Sequence, residues 1–400
     1  MRLSIPGQMS TSETAEPTRL GRRVRLDERA SPLELFFDLV FVFALTQVTS
    51  FMADETTWEG VLKGMLVLAA LWWAWGAYAW LTNYINTDAW RERFLVFVSM
   101  AAMLVAALAV PNAFGDDGVL FGCAYAVVRW MHIFIFAEAN EDVDTGQAIS
   151  RLSRTALPAP ALLIVAGFLD GADQVVLWVV ALVIDFSGPF VFGVRGFRVS
   201  PSHFAERFGL IVIIALGESI VAIGVGAEGI ELGTSEVVAA VLGVALSAAL
   251  WWAYFDVVAL LAERHFSQAR GHARILMARD AYSYLHLPMI AGIILVALGI
   301  KKTIEHVDEP LKTIPAVALL GGIALYHASH VAFRLRGMGT VNMQRLLAAL
   351  ACLALIPVAR EVDALAGLAL GTAVAAGVIV YETVRAAEDR RLSIEEAAGG

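Results

Sequence analysis

The sequence predicts an all-α polytopic membrane protein. It should have about twelve transmembrane helices, built as two parallel six-helix repeats with both termini cytoplasmic. Three observations lead there. The 400 residues are 58% hydrophobic and only 17% charged, with a mean hydropathy of +0.69, whereas a soluble domain is nearer half apolar and a quarter charged. The apolar residues fall in successive runs of about 20, the length that crosses a hydrocarbon core. The basic residues are sorted by loop, and the chain repeats itself.

In chain order the apolar runs place spans near 32–53, 58–82, 93–111, 119–138, 155–170 and 174–194, then 203–226, 235–261, 279–300, 311–334, 342–359 and 362–385. The fifth is short and starts at Pro158 and Pro160, and only Ala359 to Val362 separates the last two. Residues 1–30 are polar, without the apolar core of a signal peptide, and read as a disordered cytoplasmic tail. Residues 386–400 read as a second tail that frays. The two domains are then 31–200 and 201–385.

Loop charge sets the orientation. The segments Ala53–Thr57, Asn112–Gly118, Asp170–Gln174 and Ala227–Glu236 hold acids and no base. The segments around Arg91, Arg195, Arg264–Arg279 and Arg334–Arg345 are basic. By the positive-inside rule the basic loops and both termini are cytoplasmic. Lys301 and Lys302, assigned to an outer loop, are the exception. The net charge of −9 points to no acidic-surface function, because the signs are segregated. No Lys/Arg block with interleaved aromatics suggests nucleic acid. The partners expected are the bilayer and a proton or cation. Cys123 and Cys352 lie in apolar runs and read as packing residues, not as a disulfide scaffold.

The repeat appears when residue 35 is slid onto 206. Phe37 then matches Phe208, Leu39 matches Leu210, Ala44-Leu45 match Ala215-Leu216, and Gln47 falls on Glu218. Leu71-Trp72-Trp73-Ala74-Trp75 match Leu250-Trp251-Trp252-Ala253-Tyr254, and Tyr125 with Arg129 match Tyr326 with His330. Six spans return the chain to its starting side, so the halves are parallel and related about the membrane normal.

Polar groups inside the spans are the site candidates, because charge in lipid is costly unless paired or wet. Glu34 and Asp38 share a helix face at the start of the first span, where pairing with Arg29 or a basic loop is the structural reading. Glu206 and Arg207 hold the comparable place in the second half, as a helix-end ion network. Glu218 lies 12 residues beyond Glu206, about 18 Å deeper. It is the first choice for a proton or cation site, with uncharged Gln47 as its repeat mate. Asp185 precedes Ser187-Gly188-Pro189 in the sixth span, which reads either as a broken, ion-coordinating helix or as a Pro kink with Asp185 paired to Arg129. Arg129 with His132, and His327 with His330, each face one way. His286 precedes Pro288, and Asp256 ends the eighth span. The histidines suit a proton relay or helix–helix hydrogen bonds. With no HExxH or dense ligand cluster, no metal and no cofactor are expected. Trp73 and Trp252 lie too deep for an interfacial belt and read as core packing ahead of cavity lining.

Glu34-Leu35-Phe36-Phe37-Asp38-Leu39-Val40-Phe41-Val42-Phe43-Ala44 and Leu216-Gly217-Glu218-Ser219-Ile220, with His203, Glu206 and Arg207, carry a resemblance to the bacterial low temperature requirement A proteins. It runs from about Ser31 to Arg385. It implies a multi-pass protein of the bacterial cell (inner) membrane, and no substrate or reaction. The residues themselves favour a transporter or channel coupled to protons or cations. A membrane-embedded lipid-modifying enzyme, with His and carboxylates as acid and base, has no nucleophile motif behind it. A sensor or scaffold would need a partner, because no soluble signalling domain is present. The expectation is therefore of a protein that is not an enzyme.

Overall fold

A computed structural model describes residues 29–399, apart from 86–88, 140–141 and 257 and some side chains near 260 and beyond 385. The expected disordered tail lies outside the described residues except for Arg29 and Ala30. No named strand occurs among the described residues, and ten helices are long and apolar enough to cross a membrane.

The first half holds α1 (Pro32–Asp54), α2 (Trp58–Leu81), α3 (Trp90–Ala109), α4 (Gly118–Glu138), α5 (Val143–Ala156), α6 (Pro158–Ala166) and α7 (Gly171–Val191). The second holds α8 (Pro201–Gly226), α9 (Thr234–Phe255), α10 (Val258–Gln268), α11 (Gly271–Met277), α12 (His286–Glu305), α13 (Thr313–Ala316), α14 (Gly322–Met338), α15 (Met343–Ala359) and α16 (Ala364–Gly399). Ser31 starts α1 with a reciprocal cap: its hydroxyl accepts from Glu34 N, and Glu34 Oε2 accepts from Ser31 N at 2.7 Å. Gly339, at φ 69°, ends α14 in the left-handed conformation that only glycine adopts without strain.

Several expectations change. The fifth span is the nine-residue α6, about 13 Å long, which is too short to cross alone. Pro158 and Pro160 cut it from α5, an amphipathic helix where a loop was expected. The eighth span ends at Phe255 and restarts as α10. Lys301 and Lys302 are not in a loop but in the last turns of α12, and Lys301 is buried. The helix α16 continues past 385, to Gly399. The expected break in the sixth span is absent: α7 passes through Pro189 and ends two residues later. Cys352 is a buried packing residue, but Cys123 is exposed on the surface of α4.

The ninth span is one apolar stretch, Gly271–Glu305, interrupted by a π-helical turn at Ala278–Tyr284. Pro288 is the cause nearby, because it lacks the N–H that would reach Tyr284 and its ring crowds that carbonyl. Side chains fill in. Trp72 Nε1 donates to Ser283 O at 2.8 Å, and Trp80 Nε1 donates to Ser283 Oγ at 2.9 Å. A second π turn, Val317–Gly321, leads into α14. There α12 and α14 nearly touch: a Cβ on Gly292 would lie 2.8 Å from Gly322 O.

Helix packing runs in the same order in both halves. In the first, α2 packs on α1, α1 on α3, α3 on α4, α4 on α6, α6 on α7, and α7 back on α2. In the second, α9 packs on α8, α8 on α12, α12 on α14, α14 on α15, α15 on α16, and α16 back on α9. The two rings meet along α1 and α8. On those helices burial is inverted relative to a soluble protein. Leu39 is 60% and Ile213 46% exposed, while Asp38 and Glu218 are 2% exposed. Apolar surface outward and charge inward is the arrangement a lipid solvent favours.

Candidate functional site

The α1–α8 seam carries charge near both ends. At one end Arg207 grips Asp38 with two parallel hydrogen bonds, each 3.0 Å. Trp75 Nε1 on α2 donates to Asp38 Oδ1 at 2.9 Å, and the guanidinium lies 5.7 Å from the Trp75 ring centroid. Glu34 Oε1 stands 2.9 Å from His203 Nε2 and 4.0 Å from Arg207 Nε. All four charged or ionisable groups are buried. Glu34 and Asp38 therefore do not pair with Arg29 or a basic loop. Their cation comes from the other half of the chain. A cavity of about 10 Å3, scarcely a water's room, touches Glu34, Thr82 and Arg207.

Glu206 separates from this cluster. It accepts from Ala30 N at 3.0 Å and lines a groove of about 430 Å3 on the far side of α8.

Farther along the seam Thr46 Oγ1 donates to Glu218 Oε2 at 2.5 Å, joining α1 to α8. Thr49 and Lys301 are the other groups acting on that carboxyl. The sequence pointed to Gln47 opposite Glu218. The residue that reaches it is Thr46, while Gln47 is half-buried beside it. Between the two polar clusters the seam is dry, filled by Phe41, Ala44, Leu45, Ile211 and Ala215. Arg207 and Glu218 are 11 residues apart on one helix, about 16 Å.

Asp185 takes the paired reading. Arg129 Nε and Nη2 donate to its two oxygens at 3.1 and 2.7 Å, with Tyr125 OH at 3.5 Å. Ser187 Oγ and Tyr284 OH bond the carbonyls of Ile184 and Phe186 just before Pro189. Arg129 and His132 line one cavity of about 70 Å3, with Trp72, Trp73, Arg279 and Tyr284. Trp73 is core-packed, stacked on Phe186, and also borders this cavity, whereas Trp252 is 47% exposed and faces outward.

In the second half His330 Nδ1 is 2.8 Å from Arg345 Nη1, and Arg345 holds Glu382 bidentately at 3.0 and 2.9 Å. His327 is buried beside them, with no hydrogen-bond partner among the described residues. His286 bonds Tyr254 OH and Ala281 O. Asp256 is exposed at the end of α9. Among the described residues no three His, Cys, Asp or Glu side chains converge as a metal site.

Arg345, Glu382, Lys301 and the pairing of Arg207 with Asp38 escaped the sequence reading. Lys301 was findable, since Leu298-Gly299-Ile300-Lys301-Lys302-Thr303 continues an apolar helical run without a turn residue at its bases. The others depend on contacts between helices distant in sequence.

The bacterial low temperature requirement A protein family matches residues 29–380. An uncharacterized protein of Rhizobium meliloti (strain 1021) is 32% identical over 314 residues, 75% of this chain and 76% of its own length. No solved structure matches. The match begins at the start of the described fold and takes in α1, α8 and every buried charge named above, with half-buried Glu382 two residues beyond its end, so this multi-pass helical membrane protein belongs to the bacterial low temperature requirement A family.

Proposed function

We propose that the protein is a transporter or channel of the bacterial inner membrane, coupled to protons or cations, with Glu218 as the coupling residue. The observation that carries this reading is the Glu218 carboxyl itself. It is buried in an apolar span and bonded across the α1–α8 seam to Thr46, with Lys301 in reach. An ionisable group so placed marks an ion or proton path by default. Buried apolar side chains separate it from the Arg207 cluster along the seam.

The six-helix order shared by the two rings supports a parallel duplication, α1 with α8, α2 with α9, α3 with α12, α4 with α14, α6 with α15 and α7 with α16. On this reading the pseudo-twofold axis runs between α1 and α8, α5 with α6 as one broken span and α15 complete twelve crossings, and both termini are cytoplasmic.

The test is flux from proteoliposomes. Wild type should move protons across a potassium diffusion potential, read by an internal pH dye. Glu218→Gln should abolish that flux while gel filtration and melting are retained, and Asp256→Asn should not alter it. A wild type indistinguishable from empty vesicles for protons, sodium and potassium would remove the proposal, as would an active Glu218→Gln.

A further inference from the structure

The groove on the outer side of α8 has the size of a small-molecule site, about 430 Å3. It lies between α8, α10, the end of α9 and Phe333 of α14. Its walls are aromatic. Tyr254 and Tyr282 both line it, and the Tyr282 ring meets Phe333 edge-on at 5.6 Å. Two carboxylates, Glu206 on α8 and Glu263 on α10, face one base, Arg29. The lining is therefore acidic as well as aromatic.

Tyr282 adds an independent sign of a ligand. It is 2% exposed, and its hydroxyl has no hydrogen-bond partner among the described residues. A buried polar atom left in this way costs stability unless something else meets it. Glu263 acts on it electrostatically. The groove also reaches Ile213, which is exposed on the outer face of α8. An occupant can therefore keep an apolar portion toward lipid.

We propose that this groove binds an organic ammonium, a protonated amine on an apolar body. Its charge sits between Glu206 and Glu263, beside the aromatic wall that Tyr254, Phe255 and Phe333 give the groove. An amine N–H supplies the donor that the Tyr282 hydroxyl oxygen lacks. As a binding site the groove stands alone; as a substrate site it rests on the transport reading above. The ammonium could arrive on a soluble amine or on an amine-bearing phospholipid headgroup.

The experiment is titration calorimetry of the full chain in phosphatidylglycerol nanodiscs, with phenethylammonium chloride as the probe. Saturable binding is expected, with 3-phenylpropanol, the uncharged analogue, failing to compete. Glu206→Gln and Glu263→Gln should each weaken binding about tenfold, and Tyr282→Phe severalfold. Glu218→Gln should leave binding intact, so loss of flux and loss of binding report on separate claims. Nanodiscs containing phosphatidylethanolamine separate the sources: competition by that lipid assigns the headgroup, and unchanged affinity assigns a soluble amine. Absence of saturable binding, equal binding of the uncharged analogue, or unaltered affinity in both folded carboxylate variants would overturn the proposal.

Discussion

Replacing Arg207 by methionine should be among the most damaging single changes in the seam. Arg207 donates two 3.0 Å bonds to Asp38 and stands 4.0 Å from Glu34. Without it the two buried carboxylates keep His203, Trp75, Thr82 and the Ser31 N–H as near partners, but no guanidinium. Breaking a buried pair from one side costs about 3–5 kcal/mol. Asp38→Asn should cost less, about 1.5–3 kcal/mol, because the amide oxygen still accepts from Trp75 or Arg207 and Glu34 still neutralises the guanidinium. Independent effects would sum to roughly 4.5–8 kcal/mol. The double variant removes both charges together, so it should cost at least about 1.5 kcal/mol less than that sum. An ordinary interhelical hydrogen bond in a membrane protein couples by only ~0.6 kcal/mol. The assay is reversible unfolding in mixed micelles with increasing dodecyl sulfate, followed by tryptophan fluorescence. Additivity within ~0.5 kcal/mol would refute the argument that the pair spans the two halves as a charged unit.

Two further outcomes follow from the packing and the loop charges. Gly292→Ala drives a Cβ to 2.8 Å from Gly322 O and 2.9 Å from Tyr326 N, so it should destabilise by about 1–3 kcal/mol. Gly217→Ala meets nothing within 4 Å and should melt at or slightly above wild type, since alanine is the better helix former. Fluorescence-detected gel filtration after heating compares the two. In a background lacking Cys123 and Cys352, Asp116→Cys and Glu231→Cys should react with an impermeant maleimide on intact cells. Arg195→Cys and Thr340→Cys should react only after permeabilisation. The reverse pattern would invert the orientation.

Much of the fold was legible because lipid imposes a simple rule on spans: they must be long, apolar and internally bonded. That is why the main helices fall near their expected limits. It is also why α6 was overestimated, since two prolines shorten a run without lowering its hydropathy. Helix α5 was missed because its polar composition resembles a loop. Ala148, Ile149 and Ala156 nevertheless recur on one buried face, and that periodicity was readable. Of the site, the Arg129–Asp185 pair was among the alternatives because one cation and one anion stood only two spans apart. The partner of Asp38 was not, because 169 residues separate it from Arg207. Two chemically adequate cations were on offer, and only the packing of α1 on α8 selects between them. Glu218 was conspicuous as a charge in an apolar run, but Thr46, a residue that lipid tolerates, gave no signal.

The tryptophans that complete the π turn have a consequence for how the protein is made. The turn contains Ser283, and its donors Trp72 and Trp80 lie more than 200 residues earlier. A chain leaves the ribosome from its N-terminus, so α2 is synthesised long before the irregular segment emerges. The Ser283 carbonyl thus enters the bilayer after the indole that meets it has been made, so order of synthesis and order of hydrogen bonding run the same way.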